Sequence, residues 1–68
     1  MDTRQKVIKL IEHYKEHNVE HARSYKELVP MVSEFNNRHL TEIVEKIAYQ
    51  SEKLTPLFQE ALSILKEE

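Results

Sequence analysis

Apolar residues recur at alternating spacings of three and four along almost the whole chain. In the first half the stripe reads Val7, Ile11, Tyr14, Asn18, His21, Tyr25, Leu28, Val32, Phe35. In the second it reads Leu40, Val44, Ile47, Ser51, Leu54, Phe58, Ala61, Leu65. Only Asn18, His21 and Ser51 interrupt it. A repeat of this kind keeps one side of an α-helix against a neighbouring helix over many turns. It commits the chain to helices packed lengthwise on other helices, and it names no chemistry.

The residues that other architectures require are missing. Glycine is absent, and tight hairpin turns and phosphate-cradling loops lean on it. Cysteine is also absent, which removes disulfides and thiolate metal sites. With 68 residues the chain makes one domain, residues 1–68. A chain this short buries only about 60% of the surface it exposes when unfolded. Small folds usually add a staple, and the supports left to this one are a partner chain or close helix packing.

Charge is high but mixed. Charged residues make up 32% of the chain and the net charge is −2. Neither half forms a basic tail or an acidic tract. Nucleic acid is a poor fit as a partner, because neutralising phosphates supplies most of that affinity. Apolar runs fall far short of the ~20 residues that span a bilayer, and the start Met1-Asp2-Thr3-Arg4-Gln5-Lys6 is charged rather than signal-like. The expectation is no membrane and a cytoplasmic location.

Residues 3–17 form the clearest helix, with Asp2 or Thr3 as its cap. Residues 18–24 are the weakest stretch, and Ser24-Tyr25-Lys26-Glu27 fits a capping box that would open a new helix. Pro30 and Thr55-Pro56 raise the same choice between break and bend. Asn36-Asn37 is the best turn, since Asn tolerates left-handed geometry and caps the helix that follows. The stripe keeps its phase across both prolines. That favours two long antiparallel helices, kinked near Pro30 and Pro56 and joined at Asn36-Asn37. The alternative is a compact three-helix bundle with helices near 3–18, 24–36 and 39–67.

The apolar stripe is wider than one partner helix covers. Ile8, Leu10, Ala22, Val29 and Met31 widen the first arm; Ile43, Ala48, Leu57, Leu62 and Ile64 widen the second. The surplus, with Ile8, Leu10, Val29, Ile43, Leu57, Leu62 and Ile64 as its interface residues, predicts two hairpins pairing into a dimeric four-helix bundle. Two registers within the hairpin remain open: Tyr25 opposite Ser51 with Tyr14 opposite Ala61, or His21 opposite Ser51. In length and layout the chain resembles small dimeric helical-hairpin regulators such as the RNA-binding proteins that control plasmid copy number. It shares no motif with them, so no residue roles follow.

The sharpest local pattern is a repeated dipeptide, Glu12-His13, Glu16-His17, Glu20-His21. On a continuous helix the three imidazoles lie along one face. Two of them could hold Zn²⁺, Ni²⁺ or Cu²⁺, or the set could sense pH. The outer pair sits ~12 Å apart on a straight helix, so a third ligand would come from another helix. The plainer reading is a solvated polar face. Tyr14 and Tyr25 read as core or core edge, whereas Tyr49 and Val19 fall on the outer sides of the arms. Arg4, Lys6, Lys9, Lys15, Arg23 and Lys26 lack the aromatic interleaving of a nucleic-acid surface.

Catalysis has no foothold. Serines 24, 33, 51 and 63 lack a nucleophile elbow, and so small a bundle has little room for a substrate pocket. The expectation is a non-enzymatic protein that needs no cofactor: a regulator, inhibitor, adaptor or immunity-type module that binds itself and a further protein through a helical surface. A metal- or pH-responsive protein acting through His13, His17 and His21 is the second expectation. A small dimeric RNA-binding regulator is a weaker third.

Overall fold

The computed structural model describes residues 2–67. They form two helices, α1 (Thr3–Ser33) and α2 (Arg38–Glu67), packed antiparallel as one hairpin. The chain is all-α, and the three-helix alternative is replaced by two unbroken arms. At 1.5 Å per residue each arm is about 45 Å long, and the Cα envelope measures 53 × 16 × 12 Å.

The ends of the helices follow from their capping residues. The Asp2 carboxylate accepts from the Arg4 amide at 3.0 Å and opens α1. At the far end the Phe35 amide donates to the Val32 carbonyl and the Asn36 amide to that of Ser33. Asn36 then takes φ 56, a left-handed geometry that Asn tolerates better than most residues. The Asn37 side chain accepts from the Leu40 amide at 3.0 Å and caps α2. Two adjacent asparagines thus stop one helix and start the next.

Neither proline ends a helix: Pro30 lies within α1 and Pro56 within α2. Each ring removes one backbone donor. Both prolines are exposed, as are Lys26 and Glu52 four residues before them, so each ring sits on the solvent side of its helix. The candidate capping box is not used. The Ser24 hydroxyl donates back to the Glu20 carbonyl at 3.2 Å inside the continuous helix.

The seam between the arms is half the expected one. In α1 the side chains turned inward are Ile8, Ile11, Lys15, Asn18, Ala22, Tyr25, Val29 and Val32. In α2 they are Thr41, Val44, Ala48, Ser51, Thr55, Phe58, Leu62 and Leu65. The positions Ile11, Asn18, Tyr25, Val32 and Val44, Ser51, Phe58, Leu65 are common to both frames. The remaining positions are displaced by one residue: Ile8, Ala22 and Leu62 are buried, while Tyr14, His21, Leu28, Phe35, Ile47 and Leu54 are exposed. Tyr14 is therefore not core; Tyr25 is half-buried. Each arm carries apolar residues in two overlapping heptad frames, and one neighbour can cover only one of them. The frame used contains the small residues Ala22, Ala48 and Ser51, which let two backbones approach closely.

Register is set by a polar contact. The Asn18 side-chain amide donates to the Ser51 carbonyl at 2.8 Å and to the Thr55 hydroxyl at 3.1 Å. Counting outward from Asn18 beside Thr55, Ala22 is level with Ser51, Tyr25 with Ala48 and Ile11 with Leu62. The register with Tyr25 opposite Ser51 is off by one turn; the one with His21 opposite Ser51 is off by a single residue, with Ala22 in the seam in place of His21. The core that results is small. Ile8, Ala22, Val44, Ala48 and Leu62 are its buried apolar residues.

Candidate functional site: an open apolar face

The two long edges of the hairpin differ in character. Ion pairs join Glu12 to Lys66 at 3.3 Å and Lys26 to Glu52. Each of these residues directly follows a seam position (Ile11, Tyr25, Ser51, Leu65). On antiparallel helices the same angular step carries both partners to one side. The opposite side holds the residues that directly precede seam positions, together with the next stripe outward. In α1 these are Val7, Leu10, Tyr14, His17, His21, Ser24, Leu28, Met31 and Phe35. In α2 they are Leu40, Ile43, Ile47, Gln50, Leu54, Leu57, Ala61 and Ile64. Each row again alternates spacings of three and four, and the two rows lie side by side on one face.

This face is uncovered. Phe35 is 69% exposed, Met31 58%, Leu57 57%, and Tyr14 and Ile64 52% each. Leu10, Leu28, Ile43, Ile47 and Leu54 are exposed as well, while Val7, Leu40 and Ala61 are half-buried. Of the interface residues expected from sequence, Leu10, Ile43, Leu57 and Ile64 stand on this open face. Ile8 and Leu62 are buried inside the hairpin and Val29 is half-buried there. The polar members His17, His21, Ser24 and Gln50 gather at mid-length, with apolar residues towards both ends.

The surface area carries the same message. A folded monomer of 8.2 kDa exposes about 4500 Å² by the usual scaling with mass. This chain exposes 5524 Å², an excess of about 1000 Å². Its radius of gyration is 15.9 Å, against about 11 Å for a compact chain of this length.

The histidines form a ladder that climbs across α1. Ring centroids lie 4.3 Å apart for His13 and His17, 5.9 Å for His17 and His21, and 6.1 Å for His21 stacked on Tyr25. All three histidines are exposed. Among the described residues no three His, Cys, Asp or Glu side chains converge as a metal cage. Three of these basic residues reach across the hairpin: Arg4 donates to the Leu65 carbonyl at 3.0 Å, Lys15 to the Gln59 side chain at 2.9 Å, and Lys26 pairs with Glu52. On the ionic side, Val19, Ala22, Arg23, Lys26, Glu52 and Thr55 line a shallow groove of about 330 Å³ beside the small-residue layer. Tyr49 is exposed with the Lys53 ammonium 4.7 Å from its ring centre. Among the described residues no helix is long and apolar enough to cross a membrane.

A family model described as "Domain of unknown function (DUF8180)" matches residues 7–65. The chain belongs to that family. The match runs from Val7, the first apolar residue of α1, to Leu65 at the end of the α2 seam, and so takes in both arms of the hairpin. No curated protein and no solved structure matches the chain.

The sequence shows a surplus of apolar surface and five residues of the open face, Leu10, Met31, Ile43, Leu57 and Ile64, while its stripe puts the other apolar members in the seam. Sequence reasoning missed which of the two frames would face outward. The signal was available in part: the inner frame holds the small residues, and the outer stripe of α2 is apolar at every position except Gln50.

Proposed function

We propose that this protein is a small, non-enzymatic protein–protein interaction module whose working unit is a homodimeric four-helix bundle. The observation that carries this reading is the exposed face shared by α1 and α2, apolar towards both ends and polar at mid-length. Monomeric proteins rarely leave this many large apolar side chains open on one face. Covering an excess of about 1000 Å² on each copy buries about 2000 Å² in all, the size of a stable homodimer interface. In such a bundle the bends expected at Pro30 and Pro56 fall on the outer, ionic side, clear of the packed face. The ionic side, with Val19, Tyr49 and the groove at Ala22, is then the surface left for a further protein, in the manner of a regulator, inhibitor or adaptor in the cytoplasm.

Sedimentation equilibrium tests the reading. The expected result is a mass about twice 8.2 kDa at micromolar concentration. Replacing Leu57 and Ile47 together with Glu should give a monomer. A wild-type chain that remains a monomer at high micromolar concentration would sink the proposal.

A metal-linked role has one supporting observation, the 4.3 Å spacing of the His13 and His17 rings. Two imidazoles one turn apart can share a Zn²⁺ ion, with further ligands supplied by another chain. Titration calorimetry with Zn²⁺ decides it: heat that disappears in His13→Ala supports the role, and no heat from the parent removes it.

A further inference from the structure

We infer that the occupant of the open face is a second copy of this chain in one specific alignment: face to face, running oppositely, with a two-fold axis crossing the middle of both arms. The inference rests on the dimer reading above and adds the register and the symmetry axis.

The outer stripe of α2 supplies the alignment. Laid against itself in the opposite direction, it meets its own copy at every step. Leu40 comes opposite Ile64, Ile47 opposite Leu57, and Gln50 opposite Leu54. The alternating spacings match in both directions, so every opposed pair is apolar except Gln50 with Leu54. This pairing is centred midway between Gln50 and Leu54, at Glu52. A two-fold axis is required for two identical patches to serve each other, and here it passes at that height.

The hairpin's register then fixes what α1 brings to the axis. Glu52 is three residues before Thr55, and His21 is three residues after Asn18. The Asn18–Thr55 hydrogen bond therefore puts His21 level with Glu52. The polar residues of the open face collect around the axis: His21 from α1 lies at its level beside its counterpart, with Gln50 and Ser24 within a turn of it on either side. The apolar ends flank this belt on both sides, so the loop end of one copy covers the terminal end of the other. A polar belt inside an apolar interface costs stability, but it penalises any shifted alignment that buries it against apolar residues. Slipping the two copies by one heptad would set Gln50 opposite Ile47 or Ala61 and carry the His21 side chains of the two copies apart.

The absence of cysteine makes the test clean. Single variants Gln50→Cys, Ser24→Cys, Leu40→Cys and Ile64→Cys are made in the full chain, checked for mass by sedimentation, and treated with a short bismaleimide. Gln50→Cys and Ser24→Cys, which lie near the axis, are expected to link to themselves as covalent dimers. Leu40→Cys alone and Ile64→Cys alone are expected to give none. An equimolar mixture of those two variants, allowed to exchange subunits, is expected to give the mixed dimer. Self-linking by Leu40→Cys would overturn the opposed alignment, because it requires loop to meet loop. A dimeric chain with no link at any of the four positions would put the interface on another face and also overturn it. Both outcomes leave the dimer standing; only a monomeric wild-type chain would remove the dimer and the alignment together.

Discussion

At the scale of single residues, a few side chains decide the geometry. Leu62 is the most deeply placed, at 2% exposure. Leu62→Ala should lower stability by about 2–5 kcal/mol, because the hairpin has few other buried groups to close the gap; urea unfolding followed by circular dichroism reads this. Asn36 occupies the left-handed region, which costs an ordinary L-residue about 1–2 kcal/mol. Asn36→Val should lose about that much, and Asn36→Gly should be neutral or stabilising in the same measurement. The turn was legible in the sequence because Asn36-Asn37 combines both requirements in adjacent residues. The partners of Asn18 were not legible. Its position on the stripe could be read, but the Ser51 carbonyl and Thr55 hydroxyl that it reaches depend on how α2 slides along α1.

Whole helices pose the question of frame. In each arm the residues one step apart, such as His21 and Ala22 or Ile47 and Ala48, compete for the same neighbour. Hydrophobicity alone favours Ile47 over Ala48, and the expected stripe followed it. Close approach favours Ala48, since a small side chain admits the opposing helix and its neighbours then pack at short range. The larger residues are turned outward, onto the open face. This makes the outer stripe of α2 testable as an element. Gln50→Leu should strengthen self-association by about tenfold or more, since it removes a polar group from an apolar row, and it should broaden the range of alignments. Dilution series by sedimentation and cross-linking measure the two effects. Removing the edge ion pairs, by Lys26→Gln or Glu12→Gln, should change stability by less than about 1 kcal/mol, as both pairs are exposed.

For the molecule as a whole, the hairpin is incomplete as a solitary object. It is long and thin, it exposes more surface than its mass calls for, and its core amounts to a handful of buried residues. Folding and association should therefore be one process. The thermal unfolding midpoint is expected to rise with protein concentration, as it must when only the assembled state is folded. A midpoint independent of concentration across a hundredfold range would contradict this. The double variant Ile47→Glu with Leu57→Glu should lose most of its helical signal along with its mass, because isolated two-helix hairpins have little to hold them.

Helix type, helix ends and the excess of apolar surface are all local properties. They depend on spacing along the chain, on the capping chemistry of Asp2 and Asn37, and on a missing set of residues, glycine above all. They could be read from the sequence for that reason. The stripe that first marked the chain as helical contains two frames at once, and spacing does not rank them. Ranking required the other helix: its small residues at Ala48 and Ser51, the reach of Asn18, and the ion pairs that draw one edge together. The ion pairs and the Asn18 hydrogen bonds join residues 26 or more apart in the chain. They turned one broad stripe into a closed seam and an open face.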